Sequence, residues 1–407
     1  MSDRPTSPSQ FVQYAAEISS RGVGPALEML AAALLEQKNF RDLFTVRQMQ
    51  ARHKLGLPVI DVGQTRDLVD PLRTQLEDAY VEACREVGLL LLAEGKLREA
   101  WMYLQISGDK AAVRERLASQ EPTEANSSEM VEIALYEGVW PRRGLELILD
   151  SHGVCNTITT LDGMLPNLAR EEQAEAASLL VGFLHGQLLE NVRADIERQQ
   201  GKPPAETTLA TLLTDREWLL ADGNYHTDTS HLSSVVRFAR MSDDADTLRL
   251  AVDLTEYGRR LHKQFQFSSE EPFAEYYPAH GLFLGALLAQ AEHSRNMDSA
   301  ARADVIDDAL VYFRQRAETA NVEISGTAAA EFYISLLGRL RRFTLAMDEL
   351  AHLIPPGTPT MGIAPHLWEL AEQSGNYQKM ADICRDRGDI VGYTGAMAAA
   401  ALSAARQ

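Results

Sequence analysis

The stretch from Asp222 to His231 holds the densest set of side chains that could do chemistry: two histidines, two aspartates and one tyrosine within ten residues. His226 and Asp228 are two residues apart, so on an extended loop their side chains point to the same side. His231 follows at the start of a helix and could complete a set of three ligands. Neutral imidazole and carboxylate oxygen are the usual ligands of zinc, manganese and ferrous iron. The stretch therefore predicts a site for one of these divalent metals.

A second loop is expected to complete this site. Three helices of the C-terminal half are predicted to begin with a histidine in the same position, His231, His280 and His366. If successive hairpins stack, equivalent residues line up along one edge, which places His280 beside His231. Before His280 stands Glu275, which we expect to act as general base, and Tyr225 is the other catalytic candidate. The predicted metal ligands are, in chain order, His226, Asp228, His231 and His280.

A purely structural interpretation of the same residues stays open. Asp228 and the threonine and serine that follow it are residue types that often cap the N-terminus of a helix. A histidine in the first turn of a helix often only forms a hydrogen bond with a neighbouring hairpin.

Two smaller clusters give weaker signals. His152 and Cys155 lie at a predicted hairpin end, where they could serve as ligand and nucleophile, although a buried structural cysteine after Gly153 is the expected arrangement. Glu349 and His352 have the spacing used in di-iron bundles, but such sites need two copies of the motif and the sequence has one.

Helices must position all these residues. Apolar side chains recur at helical spacing through most of the chain, and Val59 to Val62 is the one short stretch that could be extended. The longest predicted helices run from Asp70 to Glu94, from Pro166 to Gln199 and from Ala245 to Phe265. The pattern predicts an all-α solenoid of helical hairpins, which would become an α/α toroid if the array curves closed.

Two distant segments share one layout. Gly95 leads after a short helix to Gly108-Asp109, and Gly375 leads after a helix of the same length to Gly388-Asp389. Each reads as a helix ended by glycine, a second helix, and an aspartate that caps a third. Gly88 and Ala100, twelve residues apart around Gly95, have the spacing of small residues in tetratricopeptide repeats. The chain resembles that family over residues 85–118 and 367–398, and the resemblance implies helix-turn-helix repeats.

The predicted organisation has two halves. Residues 1–10 are expected to be a disordered tail because they are polar and rich in proline. Residues 11–200 form an N-terminal helical repeat half, and residues 201–407 form a C-terminal half that contains the candidate site. The boundary is placed at Gly201-Lys202-Pro203-Pro204, the strongest linker signal in the chain.

Composition limits the partners. The chain has a net charge of -19 and scattered basic residues, which argues against nucleic acid and against an anionic membrane surface. Three widely spaced cysteines fit a reducing compartment better than a disulfide framework. No basic segment followed by an apolar one resembles a secretion signal, so a cytoplasmic location is expected.

Two functions from different classes fit these observations. The first is a metal-dependent hydrolase or lyase acting on a small molecule in the hollow of the solenoid, placed first because two successive loops are rich in ligand-type side chains. The second is a repeat scaffold that binds a peptide or protein partner on its concave face without catalysis, the commoner use of such arrays.

Overall fold

The computed structural model describes residues 8–60, 68–267, 269, 271–292, 299–320 and 326–405. These ranges contain α-helices, short 3-10 turns and one π-helical turn, and they contain no β-strand. Helices that are neighbours in sequence pack against one another. The predicted all-α helical repeat is thus confirmed. The chain divides into two compact units, Met1–Ser151 and His152–Gln407.

The first unit is built from consecutive helices around one apolar core. Leu43, Val87, Leu97 and Leu104 are fully buried in that core. Burying a leucine or valine side chain contributes about 1.5 to 3 kcal/mol to stability. The helices are α1 (Pro8–Arg21), α2 (Val23–Glu36), α3 (Phe40–Lys54), α4 (Leu72–Ala93), α5 (Leu97–Ser107), α6 (Lys110–Ser119), α7 (Ser127–Val131) and the first part of α8 (Pro141–Met164).

The segment 85–118 has the predicted repeat layout. Gly95 and Gly108 both have a positive φ, which a residue without Cβ adopts at little cost and which ends the helices before them. Asp109 caps α6 by accepting a hydrogen bond from the Ala112 backbone amide. At Gly88 a Cβ atom would approach Leu104 Cγ to 2.5 Å, so this glycine lets α4 and α5 pack closely.

The second unit continues in the same way. It contains the rest of α8, which has a break at Gly153 (φ 79°), followed by the longest helix, α9. The remaining helices follow in order: α9 (Arg170–Gln200), α10 (Leu209–Leu212), α11 (Thr229–Ala239), α12 (Ala245–Arg260), α13 (Tyr276–Ala291), α14 (Ser299–Thr319), α15 (Ala328–Arg339), α16 (Phe343–Leu353), α17 (Leu367–Ser374), α18 (Tyr377–Asp386) and α19 (Ile390–Ala404).

The segment 367–398 repeats the layout of 85–118 with different packing. Gly375 ends α17 in the left-handed conformation, and Asp389 caps α19 by accepting from the Gly392 amide. Here the close approach is at Gly395, where a Cβ atom would lie 2.1 Å from the Trp368 ring. The predicted glycine and aspartate positions are confirmed in both segments, whereas the side chains that fill the space between the helices differ.

Two predicted segments lie partly outside the described residues. Of the predicted ten-residue tail, residues 8–10 belong to α1 and residues 1–7 lie outside the described residues. Of the stretch predicted as extended, Val59 and Ile60 form a bend, and residues 61–62 also lie outside them.

The predicted boundary after Gln200 lies within the second unit, because α9 packs on α11 and α12. The predicted linker is tied back to α9. Pro204 is buried, and its carbonyl oxygen accepts a hydrogen bond from Arg193 of α9 at 2.9 Å.

Candidate functional site

His226 lies in a buried polar network with residues of α9 and α12. Its backbone N–H donates to the Tyr257 hydroxyl at 2.8 Å, and its Nδ1 lies 3.1 Å from the same oxygen. Its Nε2 lies 3.2 Å from a carboxylate oxygen of Asp195. A Tyr257 O–H that donates to Nδ1 and an Nε2–H that donates to Asp195 satisfy every group. Because both ring nitrogens have protein partners, His226 has no free lone pair for a metal in this arrangement.

Asp228 is the N-cap of α11. Its carboxylate accepts hydrogen bonds from the Ser230 backbone amide at 2.8 Å, from the Ser230 hydroxyl at 2.5 Å and from the His231 backbone amide at 3.3 Å. The hydrogen bond from the Ser230 side chain is the largest cause that lowers the pKa of Asp228, and the charge of His231 adds to it. Asp228 and His231 are therefore close, but they meet in a helix cap.

His280 lies inside α13 and is 1% exposed. Its ring packs between Phe273, with ring centroids 4.2 Å apart, and Tyr276, with centroids 4.3 Å apart. Its Nδ1–H donates to the Tyr276 carbonyl oxygen at 2.8 Å. Its Nε2 is buried and has no hydrogen-bond partner among the described residues. Among the predicted ligands, His280 is the one with a buried ring nitrogen that has no partner in the described chain.

The surroundings of His280 are positively charged. Burial, with a smaller contribution from the charges of Arg240 and Arg237, lowers the pKa of His280 to about 3. Arg240 itself lies over the rings of Phe273 and Phe332, at 4.7 Å from each centroid. His280 is thus neutral near pH 7, as a metal ligand must be, but a cation beside it would face two guanidinium groups.

The two predicted catalytic residues lie apart from these networks. Tyr225 is 50% exposed and packs edge-on against Phe265, with ring centroids 5.0 Å apart. Glu275 is exposed at the start of α13. Burial is the main cause that raises the pKa of Tyr312, and the charge of Glu275 adds to it. Neither side chain forms a hydrogen bond with a predicted metal ligand in the described part of the chain.

The four predicted ligands therefore do not form one common cluster. Within the ranges that the structure describes, no three His, Cys, Asp or Glu side chains are grouped so that they could hold a metal ion. The pair that the structure does bring together is Asp228 and His231. The metal itself stays a prediction.

The structure also shows the surroundings of Cys155 and Glu349, which belong to the two smaller clusters. Cys155 is exposed, so the expectation of a buried cysteine is wrong; it lies on the solvent side of α8, whereas Thr157 and Ile158 of the same helix are buried. Glu349 is 5% exposed and lies 3.5 Å from Arg314.

A cleft in the second unit is a feature that the sequence did not reveal. Its volume is about 1050 Å³, which is at the upper end of the range for ligand sites. The end of α13, the end of α15, the loop before α17 and α17 itself form its walls. Residues that represent these walls are Gln290, Ser335, Arg341, Ala364 and Gln373.

An ion triad lines part of the cleft, with the Arg339 side chain buried and both Arg170 and Asp243 largely exposed. Arg339 of α15 donates from Nε to Asp243 at 3.0 Å, and its other donors bond with Asp243 and with the carbonyl oxygens of Arg240 and Ser242. Arg170 of α9 lies 2.9 Å from the other oxygen of Asp243. Two guanidinium groups thus share one carboxylate, which leaves a local excess of positive charge.

A buried carboxylate fixes the loop that forms another wall. Glu331 of α15 is fully buried, and its oxygens accept from the backbone amides of Met361 at 2.7 Å and of Ile363 at 2.8 Å. The Thr327 hydroxyl donates to the same carboxylate. The sequence signal was present, because a lone glutamate on an apolar helix face needs buried partners.

Comparisons with known proteins add little to this geometry. No family model matches the chain, and no curated protein matches it. The chain is similar to a solved structure described as a "Circular tandem repeat protein with novel repeat topology and enhanced subunit contact surfaces". That match covers 97% of this chain and 90% of the other, at 14% identity and a TM-score of 0.19. A similarity at this level supports no argument about function. In the described residues, no helix combines the length and the apolar character needed to cross a membrane.

Proposed function

We propose that this chain is a helical repeat protein that binds a peptide segment of a partner protein in the cleft of its second unit. The cleft is the observation that supports this proposal, because it has a volume of about 1050 Å³ and is lined by side chains from several helices. Binding in grooves between packed helices is the common use of repeat arrays. We include in the proposal a tetratricopeptide-like class for the hairpins at 85–118 and 367–398.

The surroundings of the predicted metal ligands favour binding over catalysis. A catalytic metal site needs about three protein ligands that converge and one open position. In contrast, His226 and Asp228 use their polar atoms to hold their own loop and the start of α11. We also propose a cytoplasmic location, which three unpaired cysteines favour.

A selection of peptides by the purified chain tests the proposal. The immobilised full chain is exposed to a display library of random linear peptides, and enriched peptides are measured by fluorescence polarisation. Gln373→Trp fills the cleft from the exposed face of α17, and Gln378→Trp makes the same change on the exposed face of α18, outside the cleft. We expect Gln373→Trp to weaken binding by about 10-fold or more, equivalent to ~1.4 kcal/mol, and Gln378→Trp to leave it within about twofold. The proposal fails if no peptide is enriched, or if both variants bind alike.

A metal-dependent hydrolase or lyase is the second candidate. It is favoured by one observation, the neutral His280 whose Nε2 has no hydrogen-bond partner in the described chain. The measurement is the metal content of the purified chain by mass spectrometry, after incubation with zinc, manganese or ferrous iron and gel filtration. Retention of one metal per chain by the wild type and its loss in His280→Ala would support this candidate. Equal metal content in the two proteins would exclude His280 as a ligand.

A further inference from the structure

The charge of the cleft differs from the charge of the whole chain. The chain has a net charge of -19, so most of its surface repels acidic partners. The cleft lining instead contains three arginines, Arg170, Arg339 and Arg341, against two acidic side chains, Asp243 and Glu369. The cleft is therefore a locally positive region on an acidic protein.

Both acidic side chains of the cleft lining already have partners within the protein. Asp243 is shared between Arg170 and Arg339. Glu369 accepts a hydrogen bond from the His366 backbone amide at 3.1 Å, which caps α17. Neither carboxylate forms an ion pair with Arg341.

Arg341 is the arginine of the cleft with an available guanidinium. It is exposed and forms no ion pair with any residue that the structure describes. Its neighbour Arg342 lies 3.5 Å from Asp307 and is not part of the cleft lining. A purely structural role for Arg341 is to stabilise α15, because a cation just beyond the C-terminus of a helix interacts favourably with the helix dipole. That interaction contributes only about 0.3 to 1 kcal/mol, and it does not require the side chain to line the cleft.

Neutral polar groups stand beside these charges. The side chains of Gln290, Ser335 and Gln373 line the cleft and form no hydrogen bond with described residues. An amide side chain offers both donors and acceptors, which match the N–H and C=O groups of an extended peptide backbone. The cleft thus combines groups suited to a peptide backbone with a free guanidinium suited to a carboxylate.

We infer that the cleft recognises acidic peptide segments, with an Asp or Glu carboxylate of the partner bound to Arg341. This inference rests on the proposed function, because it names the chemistry of the segment that the cleft binds. Arg339 and Arg170 contribute positive charge to the cleft, but both are already bonded to Asp243 within the protein.

The library selection described above also tests this inference. Among enriched peptides whose binding is lost in Gln373→Trp, we expect at least one position where Asp or Glu dominates. Replacing that acid with its amide should weaken binding to the wild type by about 10-fold to 100-fold, as expected for a hydrogen bond to a charged group.

A variant cycle assigns the effect to Arg341. Arg341→Gln should weaken binding of the acidic peptide by a similar factor and should show no further loss with the amide peptide. Arg342→Gln, the matched control, should change binding by less than about twofold. The inference is wrong if cleft-binding peptides show no acidic preference or if the two arginine variants behave alike, and in that case the proposed function still stands. If no peptide binds in the cleft, both fail.

Discussion

The start of α11 and the start of α13 look alike in sequence but differ in structure. Each was predicted to begin at a histidine, His231 in one and His280 in the other. α11 begins at Thr229, close to the prediction, whereas α13 begins at Tyr276, four residues earlier than expected. Pro278 lies in the first turn of α13. Proline is tolerated there because the first backbone amides of a helix have no intrahelical partner.

This shift gives the two histidines opposite surroundings. His231 stays in the first turn of its helix, beside the Asp228 cap. His280 is moved into the second turn, where its ring packs between Phe273 and Tyr276. The two helix starts do meet, since the Tyr276 hydroxyl donates to the Ser233 carbonyl oxygen at 2.6 Å. The lesson is that contact between two hairpins does not bring equivalent residues together unless the helices also begin in the same register.

The largest expected effect concerns the protonation of His280. Burial and two nearby arginines lower the pKa of His280 from 6.5 to about 3. Between these values the unfolded chain binds a proton that the folded chain does not, so this contribution to stability is present above pH 6.5 and is lost as pH falls toward 3. At about pH 4.5 the loss from this one group is on the order of 3 kcal/mol.

His280→Phe removes the titrating group and keeps an aromatic ring in the stack. The measurement is the free energy of unfolding in urea at about pH 7 and about pH 4.5, compared within each protein. We expect the decrease at low pH to be about 3 kcal/mol smaller in His280→Phe than in the wild type. His231→Phe is the matched control and should keep the wild-type decrease. An equal decrease in all three proteins would contradict the burial of a neutral His280.

A smaller effect distinguishes two buried tyrosines, Tyr257 near the end of α12 and Tyr277 at the start of α13. Tyr257 is 0% exposed and accepts from the His226 backbone amide, whereas Tyr277 is 1% exposed and its hydroxyl has no partner among the described residues. Burial raises the pKa of both. Tyr257→Phe should cost about 1 to 3 kcal/mol, because it leaves the buried amide of His226 without an acceptor.

Tyr277→Phe is the control for that change, since it removes the same hydroxyl without breaking a hydrogen bond within the described chain. It should be neutral or slightly stabilising. Urea unfolding measures both variants, and hydrogen exchange of the His226 amide should become faster in Tyr257→Phe alone. Equal losses in the two variants would show that packing, and not the hydrogen bond, determines the cost.

The sequence predicts local features well where one residue type decides them. Gly95 and Gly375 end helices, and Asp109 and Asp389 cap the following ones, because a left-handed backbone and a capping oxygen are local requirements. Asp228 caps α11 for the same reason, as the structural interpretation of the candidate site predicts.

Features that depend on distant partners were not predictable in the same way. Asp195 lies 31 residues before His226 in the chain. Nothing in the spacing of the loop residues indicates that its carboxylate contacts Nε2 of His226. The cleft likewise depends on Arg170, Asp243 and Arg339, which come from three separate parts of the chain. Such arrangements follow from how helices pack, and the sequence pattern of any one helix does not contain that information.

The smallest expected effect compares the N-caps of the two helices. Asp228 accepts from the Ser230 and His231 amides, whereas Glu275 holds the same position before α13 without a side-chain cap bond. Asp228→Ala should therefore cost about 1 kcal/mol. Glu275→Ala should stay within about 0.5 kcal/mol of the wild type, as surface changes usually do.

The pH dependence of the Asp228 effect follows from its lowered pKa. A carboxylate whose folded pKa is depressed stabilises the protein above its unfolded pKa, and this stabilisation is lost as pH falls through the folded pKa. The difference between wild type and Asp228→Ala should thus be largest near pH 7 and should shrink at strongly acidic pH. Urea unfolding of Asp228→Ala and Glu275→Ala across this range checks both points. A cost for Glu275→Ala as large as that for Asp228→Ala would mean that Glu275 does more than occupy an exposed helix start, and would return it to the set of candidate functional residues.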